Sequence, residues 1–331
     1  EVVTSGVSLI HKIPVDGPVV LLKAGGVQQH LTPWHPVFIW VGDNIREVPA
    51  GKVSVGDLLA VPCSRLLDLG GGISREAAYL AGLFTGDGTI YKSPHKYVAL
   101  YNTNLELVDR AKGYADAVGL TGAHFRGGQT YGSSGTIRKR GRSKGCWGKK
   151  EQYILMLGVR AWELLTDMGI PQGKKSYSCN VPEKIVKSGT SVVFAFLGGL
   201  LDSDGSVFKS NGWGRRGGYG WSVAWSSVNK ELVRKISFLL QLHGIPSVFN
   251  HGKHQRYDKY TAQVFGKRNI EKLGELIGTH SMKLSQMLSI ESSHPRNDGN
   301  VLRIKDVQFR RVTETREEEF HGSFYDFTTE L

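Results

Sequence analysis

The chain has 331 residues with 42 Lys and Arg against 30 Asp and Glu, so its formal net charge is +12. Hydrophobic residues make up 40% of it, which excludes a disordered acidic protein. The length predicts two folded domains, and the positive charge predicts a polyanionic partner. Three scattered cysteines predict no disulfide framework or zinc site and favour a reducing, cytoplasmic location. The apolar run 192–201 is half as long as a bilayer requires, so the membrane class is excluded.

The two ends of the chain are typical of a β domain. Strands are expected at 19–22, 37–41 and 53–61, and the β-rich pattern returns near the end, at 307–312 and 324–329. Three consecutive glycines, at 70–72, are more natural as a linker than inside a regular element.

This pattern predicts one all-β domain, split into residues 1–70 and 300–331. A larger domain over 72–295 is then an insertion within it. The insertion contains one sequence pattern twice, in halves of approximately 72–180 and 181–295. In each half a helix ends in Asp-Gly and a β segment follows it. Each copy continues into a helix that begins at a capping asparagine, Asn104 or Asn229. A duplication of this length predicts two similar halves related by a pseudo-twofold axis.

Each copy has a helix with small residues at every fourth position. These residues are Ala78, Gly82 and Gly86 in the first copy, and Ala195, Gly199 and Ser203 in the second. Such a face allows two backbones to approach closely. If the faces meet, Asp87 and Asp204 lie close together at the helix ends. The two carboxylates then repel each other and lie at the negative ends of both helix dipoles, so a cation is needed to stabilise their charge. Mg²⁺ is the natural choice because it prefers oxygen ligands.

A single Asp-Gly pair is usually an ordinary turn between a helix and a strand, but the recurrence of the whole pattern favours a function. The segments LAGLFTGDG, residues 80–88, and LGGLLDSDG, residues 197–205, resemble the two signatures of LAGLIDADG homing endonucleases. The resemblance implies an α+β fold, with a duplicated αββαββα unit and saddle-shaped sheets. The copies differ at Thr85 and Asp202, which is not expected to abolish cleavage.

The same resemblance implies a set of site residues. Asp87 and Asp204 would bind the catalytic Mg²⁺, helped by the backbone carbonyls of Gly86 and Ser203. The family also places a lysine near each centre, and the candidates are Lys175 and Lys283, with Lys174 as an alternative to Lys175. The implied reaction is hydrolysis of one phosphodiester per DNA strand, leaving short 3′ overhangs. The target would be duplex DNA of about twenty base pairs or more.

Two basic segments, 138–150 and 211–221, are candidates for DNA contacts. Runs of this kind are often only solvated loops, but beside a nuclease centre they suit phosphate contacts, and a β-ribbon fits the major groove. The predicted DNA-binding residues are Arg138, Lys139, Arg140, Arg142, Lys144, Lys149, Lys150, Arg215, Arg216 and Trp221.

The outer segments carry a second resemblance. Residues 30–38, HLTPWHPVF, resemble the Thr-x-x-His block of an intein, and residues 324–330, FYDFTTE, resemble its penultimate block. The resemblance implies a Hint-type splicing domain in which Thr32 and His35 polarise the N-terminal splice junction and Asp326 assists the first steps. Because neither end of this sequence has the residue that splicing requires, we expect that this chain cannot complete splicing.

The leading hypothesis is therefore a monomeric, Mg²⁺-dependent homing endonuclease inserted in a Hint-type intein, with a host protein around it in the precursor. Two alternatives stay open. One is a non-catalytic nucleic-acid binder or RNA maturase of the same fold, and the other is an intein whose nuclease has decayed. Preference for a structured intron over duplex DNA would indicate the maturase, and absence of Mg²⁺-dependent nicking would indicate the decayed nuclease.

Overall fold

A computed structural model of the chain describes residues 7–25, 27–63, 72–91, 96–126, 129–140, 152–210, 220–254, 257–288, 302–304 and 307–329. The chain divides into two compact units. The first consists of residues 1–64, 240–248 and 299–331, and the second of residues 65–239 and 249–298. The first unit is thus assembled from both ends of the chain, and it also includes residues 240–248, which the sequence analysis placed in the insertion.

The strands are β1 Val7–Ala24, β2 Val27–Leu31, β3 Pro36–Val41, β4 Asn44–Pro49, β5 Leu58–Pro62, β6 Gly88–Tyr91, β7 Tyr97–Asn102, β8 Gly122–Arg126, β9 Gln129–Ser134, β10 Thr136–Arg140, β11 Gln152–Leu157, β12 Gly205–Ser210, β13 Gly220–Ser227, β14 Val248–His254, β15 Tyr257–Phe265, β16 Leu302–Ile304 and β17 Val307–Thr329. The helices are α1 Arg75–Gly86, α2 Leu105–Ala117, α3 Val159–Asp167, α4 Glu183–Val186, α5 Thr190–Asp204, α6 Lys230–Leu242, α7 Lys267–Ile277 and α8 Met282–Leu288. Within the described ranges, none of the helices combines the length and apolar composition of a membrane span.

The first unit is built on a seven-stranded antiparallel sheet in the order β2-β1-β17-β5-β3-β4, with β16 paired to β17. Alternate residues of β1 point to one face, where they form a core with residues of β3, β5 and β17. The largest members of this buried cluster are Val20, Leu22, Ile39, Val53, Leu59 and Val312.

The strand predicted at 53–61 begins only at Leu58, so the prediction is wrong for its first five residues. Gly56 has φ +103°, and the amide of Ser54 donates a hydrogen bond to Asp57 Oδ2 at 2.8 Å. These residues therefore form a turn, because the left-handed backbone at glycine breaks the extended run that its apolar neighbours suggest.

Two halves with the same order of elements follow one another between residues 75 and 277. The first contains α1, β6, β7, α2, β10, β11 and α3, and the second contains α5, β12, β13, α6, β14, β15 and α7. The sheets have the orders β10-β11-β7-β6 and β12-β13-β15-β14, so in each the second and fourth strands of the half are central. The first half adds the hairpin β8–β9. Both halves thus have the predicted αββαββα order.

Asparagine caps determine where the second helix of each half begins. Asn104 Oδ1 accepts a hydrogen bond from the amide of Glu106 at 3.0 Å at the start of α2. Asn229 Oδ1 accepts one from the amide of Glu231 at 3.0 Å at the start of α6. Both predicted caps are confirmed, and they satisfy amides that have no partner inside the helix.

Candidate active site

Helices α1 and α5 meet through the backbones of their glycines. A Cβ added to Gly82 would lie 2.7 Å from the nitrogen of Leu200 and still closer to the carbonyl oxygen of Phe196. One added to Gly199 would lie 3.0 Å from the nitrogen of Leu83. Ordinary contact begins at 3.4 Å, so neither position has room for a side chain. The two small-residue faces therefore meet, as the sequence predicted, and this brings the ends of the two helices together.

The two predicted metal-site aspartates lie at these helix ends. Asp87 is the C-cap of α1, with its amide donating to the carbonyl of Leu83 at 3.0 Å, and Asp204 is the last residue of α5. A Cβ added to Gly86 would lie 3.0 Å from Asp204 Cγ, so the second carboxylate sits against the last turn of the first helix. Both aspartates therefore also lie at the negative end of a helix dipole.

The environment disfavours the charge of each carboxylate. Burial raises the pKa of Asp87, and the negative charge of Asp204 raises it further, whereas a hydrogen bond from Asn102 lowers it. Burial also raises the pKa of Asp204, and the positive charges of Lys175 and Lys283 oppose this shift. A cation between the two carboxylates would relieve both effects.

Lys175 supplies positive charge at the end of α1. Its Nζ donates to the backbone carbonyls of Thr85 and Gly86, both at 2.6 Å. The side chain is buried, and this burial lowers the pKa of Lys175. Lys174 is exposed, so the structure brings Lys175 rather than Lys174 to the site.

Lys283 has the same relation to the end of α5. Its Nζ donates to the carbonyls of Leu201 at 3.0 Å, Ser203 at 3.1 Å and Gly205 at 2.8 Å. Burial lowers the pKa of Lys283 also. Each of the predicted carbonyl ligands, on Gly86 and Ser203, therefore accepts a hydrogen bond from the lysine of its own half.

Two polar residues at the site were missed by the sequence analysis as contributors to its geometry. Asn102 Nδ2 donates to Asp87 Oδ2 at 2.6 Å, whereas Asp204 has no such amide partner among the described residues. Asp202 is buried and accepts hydrogen bonds from Tyr79, Ser281 and the first amides of α8. The divergence of the two copies at this position was the only sequence signal for Asp202.

The first sheet places one predicted DNA-contact residue on an accessible face. Arg138 is exposed on β10, opposite Ile154, which in turn lies opposite Tyr101. Arg138 therefore shares a face with Tyr101, while the buried Leu100 points to the other side. Lys139 and Arg140 also lie in β10, but their side chains are outside the described part of the structure, as are the whole residues Arg142, Lys144, Lys149, Lys150, Arg215 and Arg216.

The register of the second sheet shows which face Trp221 shares. In β13, Trp221 has the same orientation as Val223 and Trp225, which are buried. Trp225 Nε1 donates to the carbonyl of Leu197 in α5, so this is the face that packs on the helices. Trp221 therefore lies on the packed side of the sheet but is only half-buried, and its DNA contact stays a prediction.

The predicted splicing residues lie beside different positions of β1 in the first unit. Thr32 and His35 lie in the turn after β2, where the carbonyl of Thr32 accepts from the amide of His35 at 2.9 Å. Asp326 pairs with His11 on β1, whereas Leu31 at the end of β2 pairs with Val20. These positions on β1 are roughly 30 Å apart along the strand at about 3.3 Å per residue. The roles predicted for Thr32 and His35 at the splice junction, and for Asp326 in the first steps, stay predictions.

Sequence comparisons find relatives in larger proteins. The chain is 22% identical over 282 residues to a subunit of the A-type ATP synthase of Pyrococcus abyssi, covering 78% of this chain and 24% of that one. It is 21% identical over 339 residues to the NrdEB alpha chain of the ribonucleoside-diphosphate reductase of Bacillus subtilis, covering 99% of this chain and 29% of that one. The chain thus spans about a quarter of the length of the curated relatives it matches.

Two solved structures similar to this chain are homing endonucleases. I-DmoI in complex with DNA and Ca is 15% identical, with a TM-score of 0.43 over 68% of this chain and 100% of that one. I-WcaI bound to its DNA recognition sequence is 12% identical, with a TM-score of 0.43 over 68% of this chain and 92% of that one.

The family match covers both halves described above. Residues 74–156 and 191–278 match the family described as LAGLIDADG-like domain. The first range contains α1 and Asp87, and the second contains α5 and Asp204. The chain therefore belongs to the LAGLIDADG-like domain family.

Proposed function

We propose that this chain is a Mg²⁺-dependent DNA endonuclease that hydrolyses one phosphodiester in each strand of a duplex target and leaves short 3′ overhangs. The observation that carries the proposal is the close meeting of two aspartates at the ends of α1 and α5, each half supplying one lysine to the same place. Two carboxylates and two ammonium groups at a twofold-like junction suit a reaction that is repeated on two antiparallel strands.

The residues present fit a hard divalent cation. Asp87 and Asp204 would hold Mg²⁺ through their carboxylates, and the carbonyls of Gly86 and Ser203 offer further oxygen ligands. Among the described residues no three His, Cys, Asp or Glu side chains form a metal cluster, but Mg²⁺ is commonly bound by one or two carboxylates together with phosphate and water. When bound, the ion would activate water and stabilise charge on the phosphate.

The remaining residues of the site orient these groups. Asn102 holds one carboxylate oxygen of Asp87 and leaves the other available, while its hydrogen bond favours the ionised form. Lys175 and Lys283 place positive charge beside the carboxylates, where it would stabilise negative charge that develops on the scissile phosphate. Their lowered pKa values bring each ammonium closer to releasing a proton near neutral pH than an exposed lysine is.

The DNA would be held by the sheets. The face of the first sheet that carries Arg138 also carries Tyr101 and Tyr97, and Tyr97 stacks on Tyr91 with ring centroids 4.6 Å apart. A surface of arginine and partly exposed aromatic side chains on a β-sheet can contact phosphates and base edges in the major groove. The net charge of +12 favours a polyanion as the partner.

Cleavage of a plasmid that carries the uninterrupted host sequence tests this proposal. Wild-type protein should linearise the plasmid with Mg²⁺, and Asp87→Asn and Asp204→Asn should each abolish this. Asp109→Asn makes the same change at an exposed position of α2 and should cleave like wild type. Unchanged activity in both site variants would refute the metal assignment. Absence of Mg²⁺-dependent nicking in wild type would indicate a decayed nuclease, and preference for a structured intron RNA would indicate a maturase.

We further propose that the chain is an insertion in a host protein, with the first unit as a Hint-type splicing domain. The support is that the relatives include parts of an ATP synthase and of a ribonucleotide reductase, and the chain covers only about a quarter of each. A segment shared by two enzymes with unrelated activities is typical of an inserted element. Although this chain alone is not expected to complete splicing, the full host precursor can be tested by mass spectrometry, because splicing there would join the two flanking segments into one peptide.

A further inference from the structure

The two centres differ at the residue two positions before each aspartate, which is Thr85 in the first half and Asp202 in the second. Both side chains are buried, and neither belongs to the metal ligands proposed above. A buried carboxylate requires several hydrogen bonds, so its presence in one half only calls for a structural reason.

Asp202 is bonded to the segment that carries Lys283. Its carboxylate accepts from Ser281 Oγ at 2.7 Å, the amide of Met282 at 2.9 Å and the amide of Lys283 at 3.1 Å. A fourth bond comes from Tyr79 Oη in α1 at 2.8 Å. Charge-assisted bonds of this kind are stronger than bonds between neutral groups.

These bonds fix Lys283 at both of its ends. The backbone amide of Lys283 donates to Asp202. Its Nζ donates to the carbonyls of Leu201, Ser203 and Gly205, the residues directly before and after Asp202 and Asp204 in the sequence. The ammonium group can therefore take few positions relative to the Asp204 carboxylate.

Thr85 has a weaker connection to the segment that carries Lys175. Its hydroxyl donates to the carbonyl of Ala81 within its own helix at 2.7 Å, and the hydroxyl also lowers the pKa of the Cys179 thiol. The amide of Cys179 donates to the carbonyl of Lys175 at 2.8 Å. The Thr85 side chain therefore reaches the backbone of Lys175 only through neutral groups, although the Thr85 carbonyl accepts directly from Lys175 Nζ at 2.6 Å.

We propose that Asp202 is a positioning residue that sets Lys283 in the second centre, and that Thr85 has the same but weaker role for Lys175 in the first. This inference rests on the proposed endonuclease function. It makes the two centres unequal, so that loss of the Asp202 carboxylate slows the cleavage of one DNA strand and spares the other.

The test measures the cleavage of each strand separately. With a duplex labelled on both strands, Asp202→Asn should slow one strand about tenfold or more in single-turnover reactions, given that a misplacement near 1 Å can cost 100-fold. The slowed strand should be the one that Lys283→Met also slows, and nicked product should accumulate. The dissociation constant for DNA should stay at the wild-type value, which separates positioning from a general structural defect.

A second readout needs neither metal nor DNA. In Asp202→Asn the amides of Met282 and Lys283 should exchange with deuterium about tenfold faster or more, while that of Cys179 is unchanged. Ser281→Ala is a milder variant that removes one donor, and it should shift both readouts in the same direction by a smaller amount. Asp109→Asn is the matched control.

Equal slowing of both strands, or unchanged exchange at residues 282 and 283, would overturn the proposal. Wild-type protein that cleaves neither strand would instead refute the proposed function. The exchange measurement would then still decide whether Asp202 holds the lysine segment.

Discussion

Replacement of Gly82 by alanine tests the contact on which the whole site depends. The new Cβ would lie 2.7 Å from the nitrogen of Leu200 and closer still to the oxygen of Phe196, where ordinary contact begins at 3.4 Å. The helices would therefore have to separate by at least about 0.7 Å, because both neighbours are backbone atoms that cannot rotate away. Overpacking costs up to about 3 kcal/mol, and the better helix propensity of alanine offsets about 1 kcal/mol of it. We expect a net loss of about 2 kcal/mol.

Urea unfolding followed by circular dichroism measures this loss, and Gly113→Ala provides the matched control. Gly113 also lies inside a helix, α2, but nothing lies within 4 Å of the position its Cβ would take. The same substitution there should stabilise the protein by about 0.5–1 kcal/mol. Gly82→Ala should also reduce cleavage, since it moves the Asp87 and Asp204 carboxylates apart. If Gly82→Ala is as stable as Gly113→Ala, the close helix contact does not exist as described.

Three further predictions concern charge. Because burial and the charge of Asp204 raise the pKa of Asp87 in the fold, the stability of the metal-free protein should fall as pH rises through that raised value. In a chelator at pH 7, Asp87→Asn should therefore unfold at higher urea than wild type, although we expect it not to cleave. Asn102→Ser removes the donor that favours ionised Asp87, so it should slow the cleavage of one DNA strand. Ser227→Asn, at the corresponding position of the second half, should not slow the cleavage of either strand. Cleavage assays that follow each strand separately measure both effects. Arg138→Ala should weaken binding to all duplexes alike and reduce the slope of log affinity against log salt by about 1 in titrations at several salt concentrations.

The duplication made much of the second unit predictable. A pattern that occurs twice at the same spacing shows which features are shared, so the small-residue faces, the two aspartates and the asparagine caps could all be found from the sequence. Small residues at every fourth position on two helices leave few other ways to pack them. The residue pattern therefore already favours the meeting of α1 and α5.

The contacts that refine the site could not be found in the same way. Asn102 reaches Asp87 from the end of β7, and Asp202 reaches α8 across a long separation in sequence. Such bonds depend on where the ends of distant elements lie, and no local spacing reports this. Trp221 shows the reverse problem, because an aromatic residue suits both a DNA surface and a core. Only the register of β13 shows which face it takes.

The directions of the four pKa shifts predict that the proposed metal and the proposed DNA target would bind to the site cooperatively. If attraction between the acids and the lysines dominated, the pKa of the carboxyls would fall and that of the ammonium groups would rise. The opposite is found for Asp87, Asp204, Lys175 and Lys283, so burial outweighs their mutual attraction. A divalent cation compensates the acids and a phosphate compensates the lysines. Either ligand alone leaves one pair disfavoured, and we therefore expect Mg²⁺ affinity to increase when the DNA target is bound.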